Sequence, residues 1–234
     1  MKTITLPVWN RPTYLKRVIE SLSKNNLTGY KLFLGVEPGN EQVIELCKSI
    51  DFIEKDIVIN QFRQGVRRNP FETIKRAFLA GSEYNVHLED DVVVSPDAFQ
   101  LCNWYYKTFS KEPKYMHYGL FHYEGDETHP DKIIEIDMFN GYGWSLFKHN
   151  WESLYRDEWF NDKLCLKMFN AHGWDWAISA AYKTYGYKAI VPHYSRSQNI
   201  GREGGVFCTS EFYDKTFPQV KYNLTFDISE YSML

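Results

Sequence analysis

The feature that most restricts this chain is a switch of hydrophobic period that repeats through its first half. Ile4, Leu6 and Val8 alternate with other residues, as in a strand with one buried face. Beyond Trp9, Pro12 opens a segment in which Leu15, Val18, Ile19 and Leu22 recur at helical spacing. The pattern then returns: Tyr30 to Glu37 is a second apolar run, Val43, Ile44 and Leu46 mark a helix, and Asp56 to Phe62 reads as a third strand. Asn69-Pro70-Phe71-Glu72 has a capping side chain, a first-turn proline and a carboxylate three residues after the cap. It predicts a helix start. Tyr84 to Leu88 reads as a fourth strand, and Ser95-Pro96-Asp97 as one more helix start. Such β-α-β-α alternation predicts an α/β fold with an open, largely parallel sheet flanked by helices.

In folds of that kind ligands gather beyond the carboxyl ends of the strands. Glu37 and the run Glu89-Asp90-Asp91 fall there. Three adjacent carboxylates between hydrophobic residues raise one another's pKa, a penalty that a divalent cation removes. Hard oxygen ligands suit Mg²⁺ or Mn²⁺, which complete their shells with water and substrate phosphates. Read as extended chain, Glu89 and Asp91 share a side and Asp90 faces away. A solvated acidic strand end is the alternative.

The second half is less regular. Ile133, Ile134 and Ile136 suggest a strand, Gly141-Tyr142-Gly143-Trp144 a flexible turn, and Ala189 to Pro192 a short strand. Trp174, Ala177, Ile178, Ala181, Tyr182 and Tyr185 share one helical face, and Ser195 to Gly205 reads as a polar, glycine-rich loop.

Several segments resemble those of the N-acetylglucosaminyltransferase I family, glycosyltransferase family 13, in the same order along the chain. Leu88-Glu89-Asp90-Asp91-Val92-Val93-Val94-Ser95-Pro96-Asp97-Ala98-Phe99 resembles its metal-binding segment, and Asn10-Arg11-Pro12 its nucleotide-binding turn. Glu37 stands where that family has an acid contacting base and ribose, although aspartate is usual there. Gly141-Tyr142-Gly143-Trp144 is similar to its glycine-aromatic turn. Trp174-Asp175-Trp176 is similar to the segment carrying its catalytic aspartate, with Trp176 where a second acid often follows. Pro192-His193-Tyr194-Ser195-Arg196, with Asn199, Gly201-Arg202 and Gly204, resembles its loop over the donor.

The resemblance implies a GT-A, Rossmann-like single domain over residues 1–234. About residues 1–110 would bind the nucleotide sugar and about 111–234 would face the acceptor. It implies Asp175 as catalytic base, Asp91 and His193 on a Mn²⁺ or Mg²⁺ ion, and Arg11, Glu37, Glu89, Asp90, Ser195, Arg196 and Arg202 around the donor; Asn69, in a basic segment before a helix start, is a further donor-side candidate on its own local pattern. The reaction expected is inverting transfer from UDP-N-acetylglucosamine or UDP-glucose to an acceptor hydroxyl. That acceptor is a glycan or, alternatively, a hydroxymethylated pyrimidine in DNA. A metal-dependent nucleotidyltransferase and a non-catalytic sugar-binding module are the readings of other classes.

Composition narrows the partners. A formal net charge of -3 gives no global basic field for nucleic acid or an anionic membrane. No stretch approaches the roughly 18 apolar residues that cross a bilayer, and no leader pattern opens the chain, so a cytoplasmic protein is expected. Cys47, Cys102, Cys165 and Cys208 form no C-x-x-C pair and read as reduced structural thiols. Asn26-Leu27-Thr28 and Asn223-Leu224-Thr225 match the glycosylation pattern by chance in such a protein.

Local readings stay two-sided. His193 is a metal ligand or a packed histidine, and His117 and His122 belong to a strand of aromatics. The Gly65, Arg67, Arg68, Asn69 segment is a loop that holds a diphosphate or carries solvated arginines. Asn103-Trp104-Tyr105-Tyr106-Lys107 and Lys114-Tyr115-Met116-His117-Tyr118 are core-packing faces or an acceptor platform. Arg67, Arg68, Lys107 and Lys114 would be the track if the acceptor were DNA.

Overall fold

The computed structural model describes residues 1–111, 113–124, 128–205, 208–217, 228 and 230–234. The second glycosylation-like triplet, Asn223-Leu224-Thr225, lies outside them. The alternation read from the first half is present as β1 (Lys2–Val8), α1 (Pro12–Leu22), β2 (Tyr30–Val36), α2 (Glu41–Ser49), β3 (Lys55–Ile59), α3 (Gly65–Leu79) and β4 (Tyr84–His87). There follow β5 (Val92–Val94), α4 (Ala98–Phe109), β6 (Tyr118–Gly119), β7 (Lys132–Ile136) and β8 (Trp144–Phe147). A continuous helical stretch comes next, made of α5 (Lys148–Asn150), a π-wound turn (Trp151–Tyr155) and α6 (Arg156–Glu158). The chain continues through α7 (Asp162–Phe169), α8 (Trp174–Tyr185), β9 (Ala189–Pro192), β10 (Ser197–Asn199), α9 (Ser210–Thr216) and β11 (Ser232–Met233).

Among the described residues the main sheet runs β11-β7-β9-β6-β8-β4-β1-β2-β3. Strands β4, β1, β2 and β3 are parallel, and β8 joins β4 antiparallel. The two parts of the chain therefore meet within one sheet. Ile4, Leu6 and Val8 pack with α1, α2 and α4 on one face, burying a continuous apolar cluster. The opposite face of β1 is polar and still dry. Thr3 and Thr5 stand beside Asn85 and His87 in the β1–β4 register, and Thr3 Oγ1 and Ser82 Oγ lie 2.7 Å apart. Thr5 Oγ1 and His87 Nδ1 are 2.9 Å apart. Paired in this way, the hydroxyls of Thr3, Thr5 and Ser82 cost little, while His87 Nε2 stays buried without a hydrogen-bond partner.

Helix α3 covers that face, and here the expected boundary moves. The helix begins at Gly65, which takes φ +77°, and Pro70 sits inside it. Asn69 is thus an interior helical residue: its Nδ2 donates to Gly35 O at 2.8 Å. The helix lies so close to β2 that a Cβ on Gly35 would meet Thr73 Oγ1 at 2.0 Å and Asn69 Oδ1 at 2.5 Å. Gly35→Ala should therefore destabilise the protein by about 3 kcal/mol through overpacking. At this chain length that lowers Tm by roughly 6–12 °C, read by calorimetry.

Around β8 the core is aromatic. Trp144, Trp151, Trp159, Trp174, Phe139, Tyr155 and Tyr182 form a second cluster between the sheet, α8 and the 148–158 helices. His117 is buried within it, its Nδ1 2.7 Å from Tyr182 Oη. Burial depresses its pKa from the usual value to about 3. The unfolded chain then takes up a proton near pH 6.5 that the folded chain refuses. The stability linked to His117 is intact above that pH and is lost as pH falls toward 3, at about 1.4 kcal/mol per pH unit. Urea midpoints at pH 7 and pH 5 should differ by less in His117→Asn than in the parent.

The aromatic-basic segments resolve as core. Tyr105, Tyr115, His117 and Tyr118 are buried, and Trp104 and Tyr106 pack half-buried against the same cluster. All four cysteines are free. Among the described residues no helix is long and apolar enough to cross a membrane.

Candidate functional site

Three strand ends converge at the carboxyl edge of the sheet. Beyond β1, Trp9 N donates to Asp90 Oδ2 at 3.1 Å. Arg11, just before α1, bonds Asp90 through Nη2 and reaches Asp91 Oδ2 through Nη1 at 2.8 Å. Beyond β4 the three acids form a tight turn closed by Val92 N donating to Glu89 O at 3.1 Å. The strand-like alternation expected here does not hold: Asp90 and Asp91, not Glu89 and Asp91, share a partner, because the chain turns at these residues.

A two-stranded ribbon fixes this turn. β5 pairs antiparallel with β10, and Ile200 N donates to Asp91 O at 2.7 Å. The first part of the expected polar loop is therefore strand. Gly201 lies against Asp91 so closely that a Cβ there would stand 2.0 Å from Oδ2.

The electrostatics are unbalanced. Burial works against the Arg11 charge, but Asp91 and Asp90 outweigh it and hold its pKa above the ordinary value. Burial raises Asp91 to about 6 against the pull of Arg11. Glu89 keeps a partly exposed rim, yet the protein around it, with Asp91 and Asp90, pushes it up to about 8. One guanidinium thus faces three carboxylates. Asp91 Oδ1 is buried without a hydrogen-bond partner, which is costly for a carboxylate. An orphaned hard oxygen beside an excess of negative charge fits a divalent cation that takes its remaining ligands from a diphosphate and water. Among the described residues no three His, Cys, Asp or Glu side chains form a complete metal cage.

Glu37, after β2, is buried and faces the start of α3. Its Oε1 accepts from Gly65 N at 2.7 Å and its Oε2 from Gln64 N at 2.9 Å. The carboxylate thereby satisfies the free amides of that helix end, where negative charge is favoured. Nearby, the Arg63 guanidinium lies 3.8 Å from the centre of the Trp9 ring.

Asp175 occupies the first turn of α8, as its sequence position suggests. That end of the helix is held by stacked indoles: Trp174 lies 4.3 Å from Trp159 at an interplanar angle of 4°. Trp159 is tied in turn to α3, its Nε1 donating to Arg67 O at 2.9 Å. Gly173, at φ +147°, leaves the room Asp175 needs, since a Cβ there would stand 2.6 Å from Oδ1. The residue is open to solvent on one side. Partial desolvation nonetheless raises its pKa, and the amides of Trp176 and of Asp175 itself only partly offset this. The helix end therefore does not dominate, contrary to the simple dipole expectation. Glu89 and Asp175 are near enough to act on one another electrostatically.

Other expected site residues are committed elsewhere. His193 packs against His122 and His129, with ring centroids 6.2 and 5.7 Å away, and its backbone N donates to Lys132 O. Asp91 meets Arg11, Ile200 and Gly201 instead. Ser195 is buried, its hydroxyl donating to His122 O and accepting from His122 N, both at 2.8 Å. Arg196 is fully buried, with Nε 2.7 Å from Asp97 Oδ2 and Nη2 2.8 Å from Pro130 O. Both tie the ribbon to the core. Asn69 holds Gly35, and exposed Arg202 forms two 2.7 Å contacts with Asp214. Arg67 and Arg68 lie in the first turns of α3 at the carboxyl edge. Lys107 and Lys114, at the end of α4 and before β6, lie at the opposite edge, so the four do not make one track.

No protein-family model matches the chain. Among solved structures, TarS 1-349 of S. aureus in complex with UDP-GlcNAc superposes with a TM-score of 0.62 at 12% identity. The match covers 91% of this chain and 63% of that one. The mannosyltransferase PcManGT from Pyrobaculum calidifontis, in complex with GDP-Man and Mn²⁺, gives 0.52 at 12% identity, over 82% of this chain and 54% of its own. The chain thus spans between about half and two thirds of those structures. The shared fold bears out the GT-A, mostly parallel α/β architecture read from the sequence.

Proposed function

We propose that the protein transfers a sugar from a nucleoside diphosphate to an acceptor hydroxyl, with a divalent cation at Asp91. The observation that carries this reading is the buried, unpartnered Asp91 oxygen at the carboxyl edge of β4, inside a cluster with more acid than base. When bound there, Mn²⁺ or Mg²⁺ would offset charge building on the departing diphosphate. Arg11, held by Asp90 and Asp91, would meet that diphosphate. Glu89 and Asp90 would orient the sugar, and Glu37 would support the base side through the α3 turn.

Asp175 would accept the proton of the acceptor hydroxyl as it attacks the anomeric carbon on the face opposite the departing nucleoside diphosphate, a single displacement that would invert that centre. UDP-N-acetylglucosamine is the donor the family 13 resemblance favours, with UDP-glucose next; the TarS structure holds UDP-GlcNAc and that of PcManGT holds GDP-Man. A glycan acceptor is preferred to DNA because the four basic residues of the proposed track are split between the two edges of the sheet.

The test is incubation of the protein with UDP-sugars and Mn²⁺. Slow release of UDP and free sugar supports transfer. Release of pyrophosphate from a nucleoside triphosphate and a sugar phosphate would assign a nucleotidyltransferase instead. Nucleotide-sugar binding without any turnover would leave a sugar-binding module.

A further inference from the structure

We infer that Trp176 and Tyr123, the exposed aromatic residues beside Asp175, form a ledge on which a neutral sugar ring of the acceptor stacks. This rests on the sugar-transfer reading and names the substrate class of its acceptor side. Trp176 directly follows Asp175 and is 43% exposed, whereas Trp144, Trp151, Trp159 and Trp174 are buried. It is braced from behind by Phe169, with ring centroids 5.2 Å apart. Tyr123 arrives from a separate segment, after β6, and is 39% exposed. Phe121 and Tyr142 support it, at 4.8 and 6.2 Å and nearly perpendicular. Asp175 Oδ1 and the Trp176 ring border the same space beside Gly173, where a Cβ would stand 2.6 Å from one and 3.3 Å from the other, and Gly141, next to Tyr142, lies against Trp174 with a Cβ position 3.6 Å from its ring. The segments carrying both aromatics therefore meet at the end of α8 that bears Asp175, a carboxylate open to solvent.

Exposed, braced rings are the chemistry that holds the apolar C–H face of a pyranose. The carboxylate beside them suits a neighbouring hydroxyl. Charge selects among ring-bearing acceptors. Glu89 and Asp175 are acidic, and exposed Glu124 follows Tyr123. Arg67 is the cation that acts on Asp175, but it is held by Asp162 Oδ2 at 2.8 Å and by Trp159 O at 3.0 Å. Lys183 lies over Phe169, 5.1 Å from its ring centre. A phosphodiester chain entering toward Asp175 would meet net negative charge, whereas a neutral sugar would not.

The experiment measures two affinities by separate methods. Neutral p-nitrophenyl glycosides of glucose, galactose, mannose and N-acetylglucosamine are titrated by ligand-observed NMR, in the presence of UDP and Mn²⁺. A single-stranded oligonucleotide containing hydroxymethyl-pyrimidine is the polyanionic comparison. UDP affinity is measured by calorimetry. At least one glycoside should bind, about 10-fold more weakly in Trp176→Ala and in Tyr123→Ala, with Trp176→Phe restoring most of the loss. UDP affinity should change less than two-fold, and far-UV circular dichroism should stay that of the parent. No glycoside binding, or glycoside binding indifferent to both alanine variants, overturns the ledge. So does an oligonucleotide that binds more tightly than every glycoside and loses affinity in the same variants. A parent protein that binds no UDP yet holds glycosides on these two residues removes the sugar-transfer reading and leaves the ledge standing.

Discussion

Asp91→Asn should remove the metal-dependent part of nucleotide affinity. In the parent, UDP should bind at least about 10²-fold more tightly with Mn²⁺ than with EDTA, a difference of ~2.7 kcal/mol. In the variant the two affinities should coincide near the EDTA value of the parent. The reasoning starts from Asp91 itself. Its Oδ2 is taken by Arg11 Nη1 at 2.8 Å, while Oδ1 is buried with no partner. An amide keeps the size of the side chain and a neutral oxygen, but loses the charge that binds a hard cation. The Arg11 bond to Asp90 remains in the variant, so the turn should keep its shape. Thermal melting checks that point. Equal UDP affinity with Mn²⁺ and EDTA in the parent would sink the cation assignment and leave the diphosphate to be met by side chains such as Arg11.

What was legible in the sequence is the part governed by periodicity. The strands beginning at Lys2, Tyr30 and Tyr84 and the helix after Pro12 follow from apolar spacing and turn chemistry, and those elements deliver Arg11, Glu37 and the three acids to one edge. Long-range contacts decided the rest. Asn69-Pro70 has the grammar of a helix start, yet α3 begins earlier because Glu37, distant in sequence, caps the amides of Gln64 and Gly65. No local signal carries that. Ser195 and Arg196 belong to the segment that resembles a family 13 donor loop, but Asp97 and the His122 backbone draw them into the core. Tyr123 and Arg63 carry no local signal, because each gains meaning only from what it packs against, Phe121 and Tyr142 for one and Trp9 for the other. Trp176 did carry a signal: a tryptophan following an acid, where the resembling family often has a second acid.

Asp175→Asn should lower turnover by roughly 10²-fold or more while leaving folding and UDP binding near normal. Two roles compete for this residue. As a brace for the α8 terminus, its carboxylate accepts from the amides of Trp176 and of Asp175 itself. Asparagine, also a good acceptor at helix starts, would replace it with a stability loss of about 1 kcal/mol or less and turnover largely kept. As a base, it needs a charge that asparagine cannot supply. The surroundings favour the second role. Desolvation outweighs the two amides and raises the carboxylate pKa, which makes the ionised form a stronger proton acceptor. Glu89 adds negative charge nearby, while the Trp159–Trp174 stack fixes the helix end without help from Asp175. Single-turnover transfer and the slow hydrolysis of the donor should both be measured. Loss of transfer with an unchanged Tm and unchanged UDP affinity identifies the base. A variant that retains most of its transfer, with a lowered Tm, makes Asp175 a brace and moves the base to another group.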